Sequence, residues 1–194
     1  MSEKENLIDD KMKKQLDNLS KEELIELFVK ERDNRKRLVK QLYNLKTIAY
    51  YDVLTSDACK KPIYNRVYWE TYKKRNCAST CEVCMIDIDD LSITNNTLGH
   101  AMGDKLICDS IKLICNYGRV FRFGGDEFVL IPDNDKIDAF KQMLHDKMGT
   151  LNFSYGIYEK QPYETFEEAL NKADKIMYNM KFQKKVGRDY HRQR

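Results

Sequence analysis

Arg122-Phe123-Gly124-Gly125-Asp126-Glu127-Phe128-Val129-Leu130-Ile131 reads as two β-prone segments joined by a tight reversal. Gly124 and Gly125 permit the bend, and Asp126 and Glu127 place two adjacent carboxylates on it. About forty residues upstream, the apolar run Val83-Cys84-Met85-Ile86 leads directly into Asp87-Ile88-Asp89. If the two strands are neighbours, three or four carboxylates converge on one end of a sheet. Such a cluster is costly unless a hard cation sits in it, and Mg²⁺ favours an all-oxygen shell shared with phosphates. Together the two segments point to a nucleotide site.

Composition narrows the remaining classes. The 194 residues fit one domain of ordinary size plus an appendage, with 42% hydrophobic residues for a core and 34% charged residues for a solvated surface. A net charge of +3, with no Lys/Arg run interleaved with aromatics, gives no footprint for nucleic acid. No apolar run has the length of a membrane span and the N-terminus carries no signal-peptide pattern, so a cytoplasmic protein without membrane contact is expected. The six cysteines then read as reduced thiols. Cys77, Cys81 and Cys84 are spaced suggestively for zinc, but Cys84 falls in a core strand and no His lies nearby.

Ser20-Lys21-Glu22-Glu23 has the form of a capping box. From it Leu24, Phe28, Glu31, Arg35, Leu38, Leu42, Leu45 and Ala49 follow at alternating spacings of four and three, a heptad seam interrupted by one charged pair. Neither Pro nor Gly precedes Pro62, so a helix of roughly 28 residues, about 40 Å long, is predicted. Leu7, Met12, Leu16 and Leu19 suggest a shorter helix before it. The seam suits a parallel dimer stalk with Glu31 and Arg35 fixing register; the alternative is an amphipathic helix folded on its own domain. Beyond it, a helix over 62–75 opened by Pro62, a strand over 81–88 and a helix over 102–116 are predicted. A hairpin over 119–131, a helix over 135–148, a strand over 151–158 and a helix over 166–182 complete the pattern. This order suggests an α+β sandwich, with helices over a mainly antiparallel sheet.

Several of these segments together resemble one known family. Gly124 to Phe128 reads GGDEF, the signature of the GGDEF-domain diguanylate cyclases. Asp87-Ile88-Asp89 through Asn95, then Gly99-His100-Ala101-Met102-Gly103-Asp104, is similar to its second signature. Asp52-Val53-Leu54-Thr55, Asn65-Arg66, Ser154-Tyr155-Gly156-Ile157, and Ala173-Asp174 through Tyr178, Lys181 and Gly187-Arg188 occur in the family's order. The resemblance implies a palm-like nucleotidyl-cyclase fold over residues 50–190, preceded by a helical stalk (1–49) and followed by a basic tail (191–194). It implies joining two GTP into cyclic di-GMP with release of two pyrophosphates, each step an attack by a ribose 3′-hydroxyl on the other nucleotide's α-phosphate. The enzyme would act as a homodimer through the N-terminal helix.

The implied roles follow the matched positions. Asp87 and Asp126, with the backbone carbonyl of Ile88, would hold Mg²⁺ (or Mn²⁺), and Glu127 would complete the shell and assist deprotonation of the hydroxyl. Gly124 and Gly125 would let the nucleotide approach. Asn95 and Asp104 match the guanine-reading positions, where an Asp accepts from the N1/N2 donor edge and an Asn serves both kinds of group. Lys181 and Arg188 match the phosphate ligands, although three extra residues separate them and Lys184 competes with Lys181 for the role. Asp89 is expected to be structural, turned away from the face that carries Asp87.

Four departures from the family pattern stand out. Ser92 replaces a Lys and Asn96 an Asp; the segment between Thr55 and Asn65 is about six residues longer, with Ser56 for a Gly. Cys115-Asn116-Tyr117-Gly118 replaces the Arg-x-x-Asp inhibitory site, so product inhibition there is not expected. The first three leave two other functions open, a GTP-binding regulatory module whose arm engages a partner protein, and a cyclase making a different cyclic dinucleotide.

Overall fold

A computed structural model describes the backbone of residues 16–192 and the side chains of residues 16–186. Most of the short helix expected around Leu7 and Met12, the side chain of Arg188 and the end of the basic tail lie outside the described residues. The chain divides between Thr47 and Ile48 into two units. Helix α1 (Lys21–Tyr50) starts as its capping box dictates: the Glu23 carboxylate accepts from the Ser20 N–H (2.7 Å) and the Ser20 hydroxyl accepts from the Glu23 N–H (3.2 Å). No residue of α1 is buried, and Phe28, Leu38, Leu42 and Leu45 of the predicted seam are each more than half exposed.

The second unit is built on a five-stranded sheet of order β1-β3-β4-β2-β5. The strands are β1 (Tyr64–Asn65), β2 (Cys81–Ile88), β3 (Gly118–Arg122), β4 (Glu127–Pro132) and β5 (Phe153–Lys160). Only the β1–β3 pair is parallel; β3–β4, β4–β2 and β2–β5 are antiparallel. Helices cover both faces: α2 (Val53–Cys59), α4 (Leu91–Leu98), α5 (His100–Ile114) and α6 (Ile137–Asp146) on one, α3 (Arg66–Arg75) and α7 (Phe166–Arg192) on the other.

Strand β2 explains why the layers sort this way. Successive side chains of an extended chain point to opposite faces. Cys84, Ile86 and Ile88 enter one core with Ile107, Ile111, Phe128 and Phe140. Val83 and Met85 enter the other with Trp69, Phe121, Phe166 and Ala173. A strand apolar on both faces belongs in the middle of a sheet, and β2 runs between β4 and β5. Cys81 packs with the second core and Cys84 with the first, so the suggestive cysteine spacing sends the two thiols to opposite faces.

One expectation needs correction around residue 60. Pro62 does not open a helix. Ile63 is drawn into the core at 1% exposure, its carbonyl accepts from the Asp52 N–H (2.8 Å), and Asn65 starts α3 by accepting from the Tyr68 N–H (3.1 Å). The first part of the long segment after Thr55 continues α2 as far as Cys59. Asp52 caps that helix through the Thr55 N–H (2.9 Å) and hydroxyl (2.6 Å).

The start of α7 is held by a cluster that periodicity does not reveal. Thr165 and Glu168 form a second capping box, and Glu164 accepts from the Gln161 N–H (2.9 Å), the Tyr158 hydroxyl (3.0 Å) and the Lys172 ammonium. The Gln161 N–H, and then Lys172, push the Glu164 carboxyl down to about 2. A depressed carboxyl adds stability above its ordinary value near 4.5, and that contribution disappears as pH falls towards about 2. Glu164→Gln is therefore expected to lower the melting temperature most above about pH 4.5, and the gap from wild type should close on titration to about pH 2.

Candidate active site at the acidic end of the central strands

The register of β2 and β4 sets the site. Asp87 is the Cα partner of Glu127, and cross-strand partners share a face, here that of α3 and α7. The next residue along, Ile88, donates its N–H to the carbonyl of Asp126 (3.0 Å), which ties the end of β2 to the turn before β4. The two acidic segments, forty residues apart in sequence, are thus neighbours.

The turn itself is held by a side chain. Neither Gly124 nor Gly125 has left-handed backbone. Instead Arg122 donates from Nε to the Gly124 carbonyl (3.0 Å) and from Nη2 to the Gly125 carbonyl (2.8 Å). Its Nη1 meets both oxygens of Asp52 (3.2 and 3.0 Å). One guanidinium spends its fork on the hairpin and on the cap of α2 at once, a task suited to a planar five-donor group.

Asp87 lies at the end of the buried strand, with its side chain 13% exposed. Its carboxylate accepts from Lys181 Nζ on α7 (2.6 Å). Burial nonetheless raises the Asp87 carboxyl above its ordinary value, and the charges of Asp126 and Asp89 add to the rise, against the opposing effect of Lys181. Burial works against the Lys181 ammonium too, but Asp87, followed by Asp126 and Asp89, still holds it above its usual range. Burial leads the first shift and the pairing with Asp87 leads the rise in the second, while the charges of Asp126 and Asp89 act in the same direction on both. The carboxylates near this corner are oxygen donors of the kind a hard divalent cation takes. They are not a preformed shell, because among the described residues no three His, Cys, Asp or Glu side chains are gathered closely enough to hold a metal.

Asp89 requires a correction. It does not turn away from Asp87's side, since residues two apart on an extended chain share a face. Both carboxylates meet α7, Asp87 through Lys181 and Asp89 through Lys184 (2.8 Å). Asp89 also accepts from the Ser154 hydroxyl (2.7 Å) and its N–H donates to the Asn152 carbonyl (2.9 Å). Strand β5 lets α7 come this close because Gly156 has no side chain; a Cβ there would stand 2.0 Å from the Ala173 carbonyl oxygen.

After Asp90, which takes left-handed backbone (φ 58°), α4 leads through Gly99 (φ 85°) into α5. Asn95 on α4 sits directly on Gly103 of α5, where a Cβ would lie 1.8 Å from the Asn95 carboxamide oxygen. The glycine of the Gly-His-x-x-Gly-Asp segment therefore brings half-buried Asn95 against the first turn that carries exposed Asp104. Ser92 is exposed at the start of α4.

A family model described as "Diguanylate cyclase, GGDEF domain" matches residues 49–186. The chain belongs to that family. Among curated relatives, the probable diguanylate cyclase DgcI of Escherichia coli K12 is 27% identical over 154 residues, covering 74% of this chain and 34% of its own. Diguanylate cyclase VdcA of Vibrio cholerae is 24% identical over 168 residues, covering 75% and 48%. The chain thus spans between a third and a half of the length of these relatives. The coiled coil and GGDEF domain of DgcB from Caulobacter crescentus, solved in complex with c-di-GMP, shares the fold with a TM-score of 0.64 at 22% identity, covering 80% of this chain and 92% of that one. Diguanylate cyclase SiaD from Pseudomonas aeruginosa, solved with its activator SiaC, has a TM-score of 0.58 at 20% identity, covering 93% and 75%. The GGDEF family fold accounts for the mainly antiparallel sheet with helices on both faces. No helix among the described residues is long and apolar enough to cross a membrane.

The anchoring roles of Arg122 and Lys184 leave no mark in the sequence, because each depends on chain segments that meet only in the fold. The Arg122–Asp52 pair leads to a stability test. Arg122→Met is expected to cost about 1–3 kcal/mol in chemical denaturation, since it removes the cation from a half-buried carboxylate that keeps only its bonds to Thr55. Combining it with Asp52→Asn should cost clearly less than the sum of the single changes.

Proposed function

We propose that this chain is a diguanylate cyclase that condenses two GTP molecules into cyclic di-GMP and two pyrophosphates. The observation that carries the reading is the register that brings Asp87 of β2 beside Asp126 and Glu127 at one sheet end. Asp87, Asp126, Glu127 and the carbonyl of Ile88 would hold Mg²⁺ or Mn²⁺. When bound, the cation supplies charge neutralisation at the triphosphate and a lower pKa for the attacking hydroxyl.

The chain's own residues divide the remaining work. Asn95 and Asp104 read the guanine edge and favour GTP over ATP. Lys181 and Arg188 hold phosphate oxygens, and the open backbone around Gly125 admits the nucleotide; a Cβ at Gly125 would meet nothing within 4 Å. Glu127 takes the proton of the ribose 3′-hydroxyl. A new P–O bond forms at the α-phosphate as the bond to pyrophosphate breaks, and the second nucleotide repeats the step. Each domain offers one GTP, so two chains must face each other. The α1 arm, with apolar residues exposed along its seam, is the dimer stalk and a surface for a regulatory protein partner.

Pure protein with Mg²⁺ and GTP should yield cyclic di-GMP on nucleotide chromatography, and Asp126→Ala should reduce the rate by at least about 100-fold. Unreacted GTP at every protein concentration, identical for both proteins, would reject the cyclase. Removing residues 1–48 should lower activity and steepen its dependence on protein concentration; unchanged activity at low concentration contradicts the stalk. Asp104→Ser should relax the preference for GTP over ATP in a competition assay.

A further inference from the structure

Helix α7 carries two lysines three residues apart, and each meets one carboxylate of Asp87-Ile88-Asp89. Three helical residues rise about 4.5 Å, and two extended residues about 6.6 Å, a difference that flexible lysine stems can absorb. The lysines resemble each other in sequence but not in surroundings. Lys181 is 43% exposed and donates to one acceptor, Asp87. Lys184 is 20% exposed and donates to three: Asp89 Oδ2 (2.8 Å), the Phe153 carbonyl (2.7 Å) and the Leu151 carbonyl (3.4 Å).

An ammonium has three N–H donors. Lys184 has committed all of them to this chain, two in short bonds and one in a long one, and has none left for a triphosphate. Its partner is equally committed, because Asp89 also takes the Ser154 hydroxyl and its N–H is bonded to Asn152. The pair joins the end of β2, the entry to β5 and the far part of α7. Asp87 lies two residues before this junction, and Lys181 lies one helical turn before it.

We propose that Lys184 is a positioning residue: paired with Asp89, it fixes the end of β2 so that Asp87 and Lys181 face the substrate, and it contacts no phosphate. The catalytic part of this inference rests on the cyclase reading above. Counting donors resolves the competition between the two lysines, which spacing along the sequence could not do.

The test uses the full chain as wild type, Lys184→Met, the double variant Lys184→Met/Asp89→Asn, and Lys181→Met. Melting temperature is measured without nucleotide, affinity for a non-hydrolysable GTP analogue with Mg²⁺ by calorimetry, and turnover with GTP. Lys184→Met should lose about 10 °C, because it leaves a buried carboxylate without its cation, and the double variant should recover at least about half of that loss. Turnover of Lys184→Met should fall about 10- to 100-fold, while KM and analogue affinity stay within about twofold. Lys181→Met should instead weaken analogue binding, with a much smaller change in melting temperature. If Lys184→Met does not fold, a folded double variant supports the pairing and an unfolded one overturns it. A melting temperature within about 2 °C of wild type, together with a tenfold loss of analogue affinity, would make Lys184 a phosphate ligand and overturn the proposal. A double variant no more stable than the single one overturns it too. If wild type makes no cyclic di-GMP, the cyclase reading fails, and the nucleotide-free melting data still decide whether Lys184 and Asp89 form the anchor.

Discussion

Strand β2 is buried on both faces and carries a carboxylate, Asp87, one residue before its end. Its interior requires a central place in the sheet, and that place sets Asp87 against Glu127 on one neighbour and Ser154 on the other. Once there, Asp87 shares its corner with the charges of Asp126 and Asp89, and among the described residues Lys181 is the cation bonded to it. Burial strengthens every interaction among these groups and makes an imbalance between them costly. The fold keeps a carboxylate here although burial works against its charge.

Three anchors hold the surrounding backbone to that strand end. Arg122 locks the hairpin turn to Asp52 and through it to the start of α2. The Lys184–Asp89 pair locks α7 to the entry of β5. Gly103 lets α5 close onto Asn95. The first two anchors join segments distant in sequence and the third packs two consecutive helices, so the candidate groups are carried by a braced framework. A site built this way loses less to reorganisation when a charged substrate arrives.

Much of this framework is legible in the amino-acid sequence. The two-faced apolar run of β2, the hairpin about Gly124-Gly125 and the Ser20–Glu23 capping box are local patterns whose physics is local, and the fold class follows from them. Helix α2 escapes notice because it is seven residues long and its signal is one capping Asp; Pro62 misleads because the core claims Ile63. Lys160 leaves no signal at all. Its ammonium is fully buried on the carbonyls of Cys77, Ser79 and Gln161, where an exposed lysine at a strand end would be the ordinary expectation. The difference between Lys181 and Lys184 is likewise invisible in spacing, because it lies in which carbonyls each ammonium meets.

In the function proposed above, carboxylates from two separate strands act together on one divalent cation. Electron paramagnetic resonance of Mn²⁺ with a non-hydrolysable GTP analogue tests it most directly, on wild type, Asp87→Asn and Glu127→Gln. Protein-bound Mn²⁺ is expected in the wild type, with at least about a tenfold loss of Mn²⁺ affinity in either variant. Wild-type affinity in both variants would contradict it.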